Sequence, residues 1–235
     1  MRMTAETIPM PLAAPVSTPP LFEGDCLSSD EFLRRWDEMP DLRHAELIEG
    51  IVYMSSPVSR PHGRCHIVLA TWLGNYAAAT PGCFPGLEGT WRMGPSNVPQ
   101  PDLMLHILPE HGGQSTVEGP YYAGAPELIV EVAVSSYSRD FGVKKRLYER
   151  MGVREYLIAL PRQKKLVCHR LTPAGFQIFE PIVDGIFRSG MFPGLWLDMD
   201  ALWKLDLARM NTVLQQGLAT PEHSVFAAQV ASGKR

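Results

Sequence analysis

Between Glu127 and Val134 the chain reads ELIVEVAV, an almost unbroken run of branched aliphatic side chains. Such a run suits a strand covered on both faces, and therefore the centre of a sheet with helices packed on either side. Glu131 interrupts it. A carboxylate removed from water there is expensive unless a cation or a hydrogen-bond donor compensates it, so the fold must bring a partner to Glu131.

The neighbouring segments alternate between strand and helix signals, which indicates an α/β class. Ser28 followed by Glu31 forms a capping-box pattern, with Glu31 reaching back to the first amides of a helix that runs to about Met39. AELIEGIVYMSS reads as a β-hairpin turning at Glu49-Gly50, where glycine accepts the positive φ of a tight turn. From His62 to Ala79, Cys65, Val68, Leu69, Trp72, Leu73 and Tyr76 recur at three and four, the mark of one buried helix face, and Thr80-Pro81-Gly82 ends it.

A Gly-punctuated strand is expected around Leu87 to Met93, and another at LMLHIL after Pro101-Asp102. Helical spacing returns from Arg139 to Met151, with Gly152 just past its end, and REYLIAL follows as a strand. KLVCHRL and FQIFEPI pair around Thr172-Pro173-Ala174-Gly175, and MFPGLWLDMDALW is a turn leading into a short helix. No internal repeat is present. The reading is a proline-rich mobile arm over residues 1–22, one domain over 23–205, and a C-terminal helix and tail over 206–235 that frays from about Gly217.

Composition excludes several classes. With 22 basic and 25 acidic side chains the net charge is -3, so any nucleic-acid site must be a local patch. The cysteines Cys26, Cys65, Cys83 and Cys168 form no CxxC pair, which argues against a zinc ribbon and fits reduced thiols in a cytoplasm. The first residues lack an unbroken apolar stretch, so no signal peptide is expected, and no segment is apolar for the ~18 residues of a membrane helix.

Asp102 at the mouth of one strand and Glu131 inside the next are the informative pair. Two carboxylates converging at strand ends make a hard-oxygen site suited to Mg2+ or Mn2+. Read structurally instead, Asp102 is a turn former and Glu131 pairs with an arginine. His62 and His66 have the spacing of zinc ligands on a helix, yet no glutamate stands where a zinc protease needs its base. His62 suits a phosphate or substrate contact, or a place beside the helix N-terminus. Ser135, Ser136 and Ser138 offer hydroxyls to a phosphate or to a helix cap.

ELIEG, a histidine near a helix start, QPDLML, and ELIVEVAVSSYSRDFGVKKRLYERMGVREYLIAL, in this order over roughly residues 28 to 205, resemble the Uma-two family of bacterial restriction-endonuclease-like proteins within the PD-(D/E)XK superfamily. The resemblance implies a restriction-endonuclease-like core, a central mixed sheet flanked by helices, with an extra C-terminal β-hairpin region. It also implies that Asp102 and Glu131 bind metal and that a lysine positions the attacking water. Ala133 stands where the strict motif has that lysine. In the family an Asp-x-x-x-Lys-x-x-x-Tyr string supplies it from the next helix, matched here by Asp140, Lys144 and Tyr148.

Lys144 and Tyr148 lie one turn apart on one helix face, and Lys144 is long enough to reach a neighbouring strand. Lys144 could equally be an exposed partner of Asp140 four residues before it. Lys145 points about 100° away, toward solvent or a phosphate. Glu46 resembles an extra superfamily carboxylate near the metal, although whether Glu46 or Glu49 points inward depends on strand register. Arg60, Arg64, Arg139, Lys145, Arg146 and Arg150 could form a basic rim.

The implied activity is metal-dependent hydrolysis of phosphodiester bonds, in DNA, by a homodimer, with Asp102, Glu131, Lys144 and Glu46 as the catalytic set and His62, Tyr148 and Lys145 toward substrate. One alternative is a catalytically silent DNA-binding or accessory protein of the same fold. Another is an interaction protein acting through its C-terminal strands and the PGLW segment.

Overall fold

The computed structural model describes residues 18–54, 57–180 and 182–233. Most of the arm expected over 1–22 lies outside the described residues. Where it is described, Leu21 is buried with Phe32 and Leu33, covering the apolar face of the first helix.

That helix, α1 (Ser29–Asp37), is capped by the Ser28 hydroxyl, which accepts from the Glu31 amide. Glu31 does not reach back as a capping box would, because Arg34 and Arg35 on the next turn draw its carboxylate away. Strands β1 (Ala45–Ile48) and β2 (Ile51–Met54) form the expected hairpin, with Glu49 and Gly50 both at positive φ, 53° and 79°. Helix α2 (Arg60–Ala78) presents the six apolar residues expected of it.

The expected strand over Leu87 to Met93 is instead two strands in different sheets, β3 (Cys83–Leu87) and β4 (Trp91–Arg92). Glu88 at φ 49° turns the chain between them. Next come β5 (Leu103–Ile107), a hairpin of β6 (Thr116–Glu118) and β7 (Tyr121–Ala123) whose short strands carry little apolar signal, and β8 (Leu128–Val132). The following helical segment is composite. A single turn, α3 (Tyr137–Arg139), passes into a π turn over Asp140–Lys144 and then into α4 (Lys145–Met151), with Gly152 at φ 87° closing it.

Strands β9 (Glu155–Leu160), β10 (Lys165–Thr172) and β11 (Gly175–Ile178) complete the main sheet, of order β11-β10-β9-β8-β5-β3. Only β8 and β9 are parallel, so the sheet is mixed, and β8 sits inside it with every residue buried. One sheet face carries α2 and the other carries α4. Beyond it, β12 (Ile182–Val183), β13 (Ile186–Arg188) and β14 (Trp196–Asp198) form a small antiparallel sheet, so the segment expected as a plain turn includes a strand.

The chain ends in α5 (Met199–Lys204), α6 (Leu207–Leu218) and α7 (Pro221–Ala231). Residues after Gly217, expected to fray, form α7 instead. Thr220 caps it, Pro221 starts it, and Phe226 and Val230 are buried against the α2 side of the core. His223 is buried between Thr80 and Tyr76 at the end of α2. Replacing Phe226 by Ala should therefore cost roughly 3 kcal/mol in urea denaturation, the range for a buried aromatic. A frayed tail would give no measurable change.

Candidate active site

Strand parity brings the carboxylates together. In β8, Leu128, Val130 and Val132 face α2, so Ile129 and Glu131 face the α4 side. Leu103 pairs with Val130 in the antiparallel β5–β8 ladder, and extending that register by one residue sets Asp102 opposite Glu131. The Asp102 side chain is fixed there by the Val132 amide, which donates to its Oδ2 at 2.7 Å, and by His62 Nε2 at 3.2 Å from the same oxygen.

Lys144 arrives from the π turn. Its side chain is only 6% exposed, and its ammonium lies 2.9 Å from both Glu131 Oε1 and Glu46 Oε1. The exposed pairing of Lys144 with Asp140 is therefore not what forms. A π turn inserts an extra residue into the helical repeat, a distortion frequent at functional sites, and here it lies where Lys144 must turn into the sheet. Register also decides between the two candidate glutamates. Glu46 is buried, accepting from Lys144 and from the Gln100 amide at 2.8 Å. Glu49 lies at the turn and pairs with Arg146 and Arg150.

Two residues expected to touch substrate do not line the cavity. Tyr148 is fully buried and donates its hydroxyl to Glu131 Oε1 at 2.8 Å, so it positions the carboxylate. Lys145 turns away, its ammonium 3.4 Å from Glu149 and over the Phe176 ring, as its place one residue past Lys144 dictates. Arg146 and Arg150 are likewise drawn out of the expected basic rim by Glu49. His62 and His66 both contact Asp102, His66 Nε2 lying 2.9 Å from its carbonyl oxygen. Ser136 shares a short hydrogen bond with the Asp140 carboxylate.

A cavity of about 120 Å3 opens over this cluster, with Glu46, His62, Asp102, Glu131 and Lys144 on its walls. Gln100, Arg139, His44 and Glu88 also line it. Gln100 was within reach of the sequence, since it directly precedes the Pro-Asp pair. His44 and Glu88, 3.8 Å apart, carry no local signal because only the fold joins them. Arg139 rests over the Tyr53 ring and pairs with no carboxylate among the described residues.

The electrostatics are lopsided. Burial works to lower the Lys144 pKa, but Glu131, Glu46, Asp140 and Asp102 outweigh it and hold the ammonium protonated. Burial pushes Glu131 well above the usual carboxylate range, with Lys144 pulling against it and the other carboxylates adding to the rise. For Asp102, burial is outweighed by the hydrogen bond and charge of His62, by Lys144 and by the Val132 amide, so its pKa is lowered. The Asp102 hydrogen bond raises His62 in turn. Burial raises Asp140 to about 6 against the pull of Lys144 and Ser136.

Four acids thus surround one ammonium, which leaves the site in want of positive charge. Each of Glu46, Asp102 and Glu131 is held through one oxygen, and the other takes no hydrogen bond among the described residues. Gln100 Oε1 is also buried without a partner. No three His, Cys, Asp or Glu side chains among the described residues converge as a ready-made cage. That donor set fits a small hard cation such as Mg2+, which keeps most of its waters and uses one or two carboxylates, better than it fits Zn2+ or Ca2+.

If Lys144 neutralises this cluster, Lys144→Met should destabilise the protein by roughly 3 kcal/mol at pH 8, the scale for breaking a buried pair. The deficit should shrink toward pH 5. Without the ammonium the folded-state pKa of Glu131 rises further, the native state binds more protons than the unfolded one, and stability falls as pH rises. Equal destabilisation at both values in denaturant titrations would exclude this coupling.

In comparisons with known proteins, a family described as "Uma2: Putative restriction endonuclease" matches residues 29–200. Among solved structures, the chain is similar to the crystal structure of a putative nuclease belonging to DUF820 from Anabaena variabilis ATCC 29413. The two share 17% identity with a TM-score of 0.59, over 76% of this chain and 98% of that one. At that identity the likeness concerns the fold. No curated protein matches the sequence.

Proposed function

The chain belongs to the Uma2 family of putative restriction endonucleases, and from that membership we propose that it is a metal-dependent endonuclease hydrolysing phosphodiester bonds in DNA. The observation that carries this reading is the meeting of Asp102, Glu131 and Lys144 on the wall of one open cavity. Asp102 and Glu131 would hold Mg2+ or Mn2+, with Glu46 beside them. When bound, such an ion supplies polarisation of the phosphoryl oxygen and a lowered pKa for water.

The chain's own residues do the rest. Lys144, its ammonium kept protonated by the surrounding acids, stabilises negative charge on the attacking oxygen and at phosphorus. Tyr148 and the Val132 amide keep Glu131 and Asp102 aimed, and His62 holds Asp102 ionised. Arg139, a cavity-lining cation without a carboxylate partner, anchors a substrate phosphate. A second reading, a silent binding module of the same fold, draws on Lys144, whose ammonium pairs with both Glu131 and Glu46.

Cleavage of labelled duplex and single-stranded DNA with Mg2+ or Mn2+ separates them. The wild type should cut, and Asp102→Ala with Glu131→Ala should lose at least about a hundredfold, the scale of removing one strong transition-state contact. If neither protein cuts and calorimetry finds no metal bound to the wild type, the silent module is the better account. Linear plasmid formed without build-up of nicked circle would support a homodimer that cuts both strands in one encounter.

Arg139→Ala should raise KM roughly tenfold with little change in kcat, the loss of one charge-assisted hydrogen bond made equally in ground and transition states. An unchanged KM would remove Arg139 from the substrate path.

A further inference from the structure

Ser59 and His62 at the start of α2 line the catalytic cavity, and Arg60, Pro61 and Arg64 line a second one. Since successive helical residues turn by about 100°, Arg60 and Arg64 lie roughly 160° around the helix from His62, so the two cavities flank the same helix end on opposite sides. The second measures about 180 Å3, and Trp203 and Leu205 from the α5 region help to wall it.

Three features of this cavity point to a ligand. Its only charged lining residues are two arginines, and no acid lines it. Both arginines are exposed, and neither has a carboxylate partner among the described residues. Arg34, Arg35, Arg92, Arg146, Arg150, Arg170 and Arg209 each pair with an acid. Arg43, Arg139, Arg154, Arg162 and Arg188 also lack a carboxylate partner among the described residues, but of these unpaired arginines only Arg60 and Arg64 converge on one cavity with an aromatic ring. Finally, Trp203 is half-buried, with its ring forming part of an otherwise aliphatic and proline-rich wall.

We propose that this cavity is a nucleotide subsite for a strand that passes over the first turn of α2 and enters the catalytic cavity on the helix's other flank. An unpaired base lies against Trp203, and the phosphate attached to it is taken by Arg60 and Arg64. Aromatic side chains hold bases of any sequence by stacking, and arginines hold phosphate by paired hydrogen bonds. A base can enter only when it is unpaired and unstacked. The substrate is then single-stranded at this nucleotide, either a free strand or a single-stranded extension of a duplex. This inference rests on the nuclease reading and adds the substrate's form to it.

The test is fluorescence anisotropy in EDTA, using the full chain with a short labelled single-stranded oligodeoxynucleotide and with the same sequence as a blunt duplex. Trp203→Ala should weaken single-strand binding roughly five- to hundredfold, and Trp203→Phe should restore most of it. Arg60→Ala and Arg64→Ala should each reduce the slope of log affinity against log salt by about 0.7 for the single strand. Blunt-duplex binding should change little in any variant.

Should Trp203→Ala fail to fold, as read by circular dichroism, the two arginine variants decide the matter alone. Wild-type affinity and salt slope in both would overturn the subsite while leaving the nuclease reading intact. A wild type that cuts DNA yet prefers blunt duplex would overturn it too. A wild type that neither cuts nor binds any nucleic acid would remove the nuclease reading and the subsite with it.

Discussion

The burial of Glu131 is the constraint from which the rest of the structure can be understood. Its strand lies inside the six-stranded sheet with both faces covered, so little water reaches the carboxylate. Lys144 and Tyr148 take its Oε1 instead. Burying the ammonium creates a second demand, which Glu46 helps to meet from the first hairpin. Three segments distant in sequence are thereby tied to one point, and none of the three charges could be removed without stranding another in a medium of low polarity. The hairpin is also held from outside, where Glu49 at its tip pairs with Arg146 and Arg150 on the exposed side of α4.

The same burial shapes the chemistry open to the site. Charge neutrality would have needed as many cations as acids, yet Asp102, Glu131, Glu46 and Asp140 share a single lysine. Asp102 carries the remaining tension in its pairing with His62, which keeps it ionised despite being enclosed. An acid cluster of this sort binds cations readily and repels phosphate. Arg139 at the cavity, and Arg60 and Arg64 on the opposite flank of α2, are the places where a polyanion could approach it. The overall charge of -3 is compatible with this because attraction is needed only along one path.

Much of this was legible from local pattern. The apolar run around Glu131, the helix face of α2, the Glu49-Gly50 turn and the stop at Gly152 each follow from a period or a backbone preference that neighbouring residues impose. The likeness of the Asp102, Glu131 and Lys144 strings to one family pointed to side chains that the fold brings together. Where local pattern was weak, the expectation went astray. The short strands β6 and β7 carry little apolar signal, the turn at Glu88 that moves the chain to another sheet after β3 has no local mark, and the small residues of α7 looked like a tail until Phe226 and Val230 met the core.

By itself, then, the sequence determined the α/β class, the central strand and the acids that could work there, because burial period and the cost of a buried charge are written along the chain. Only the tertiary structure decided that Glu46 rather than Glu49 faces the cavity, that the Tyr148 hydroxyl donates to Glu131, and that Lys145, Arg146 and Arg150 are engaged elsewhere. Those outcomes depend on which side chains from distant segments compete for the same partner. A one-residue change of strand register or a single π turn reverses the winner, and neither is encoded in the residues on either side of it.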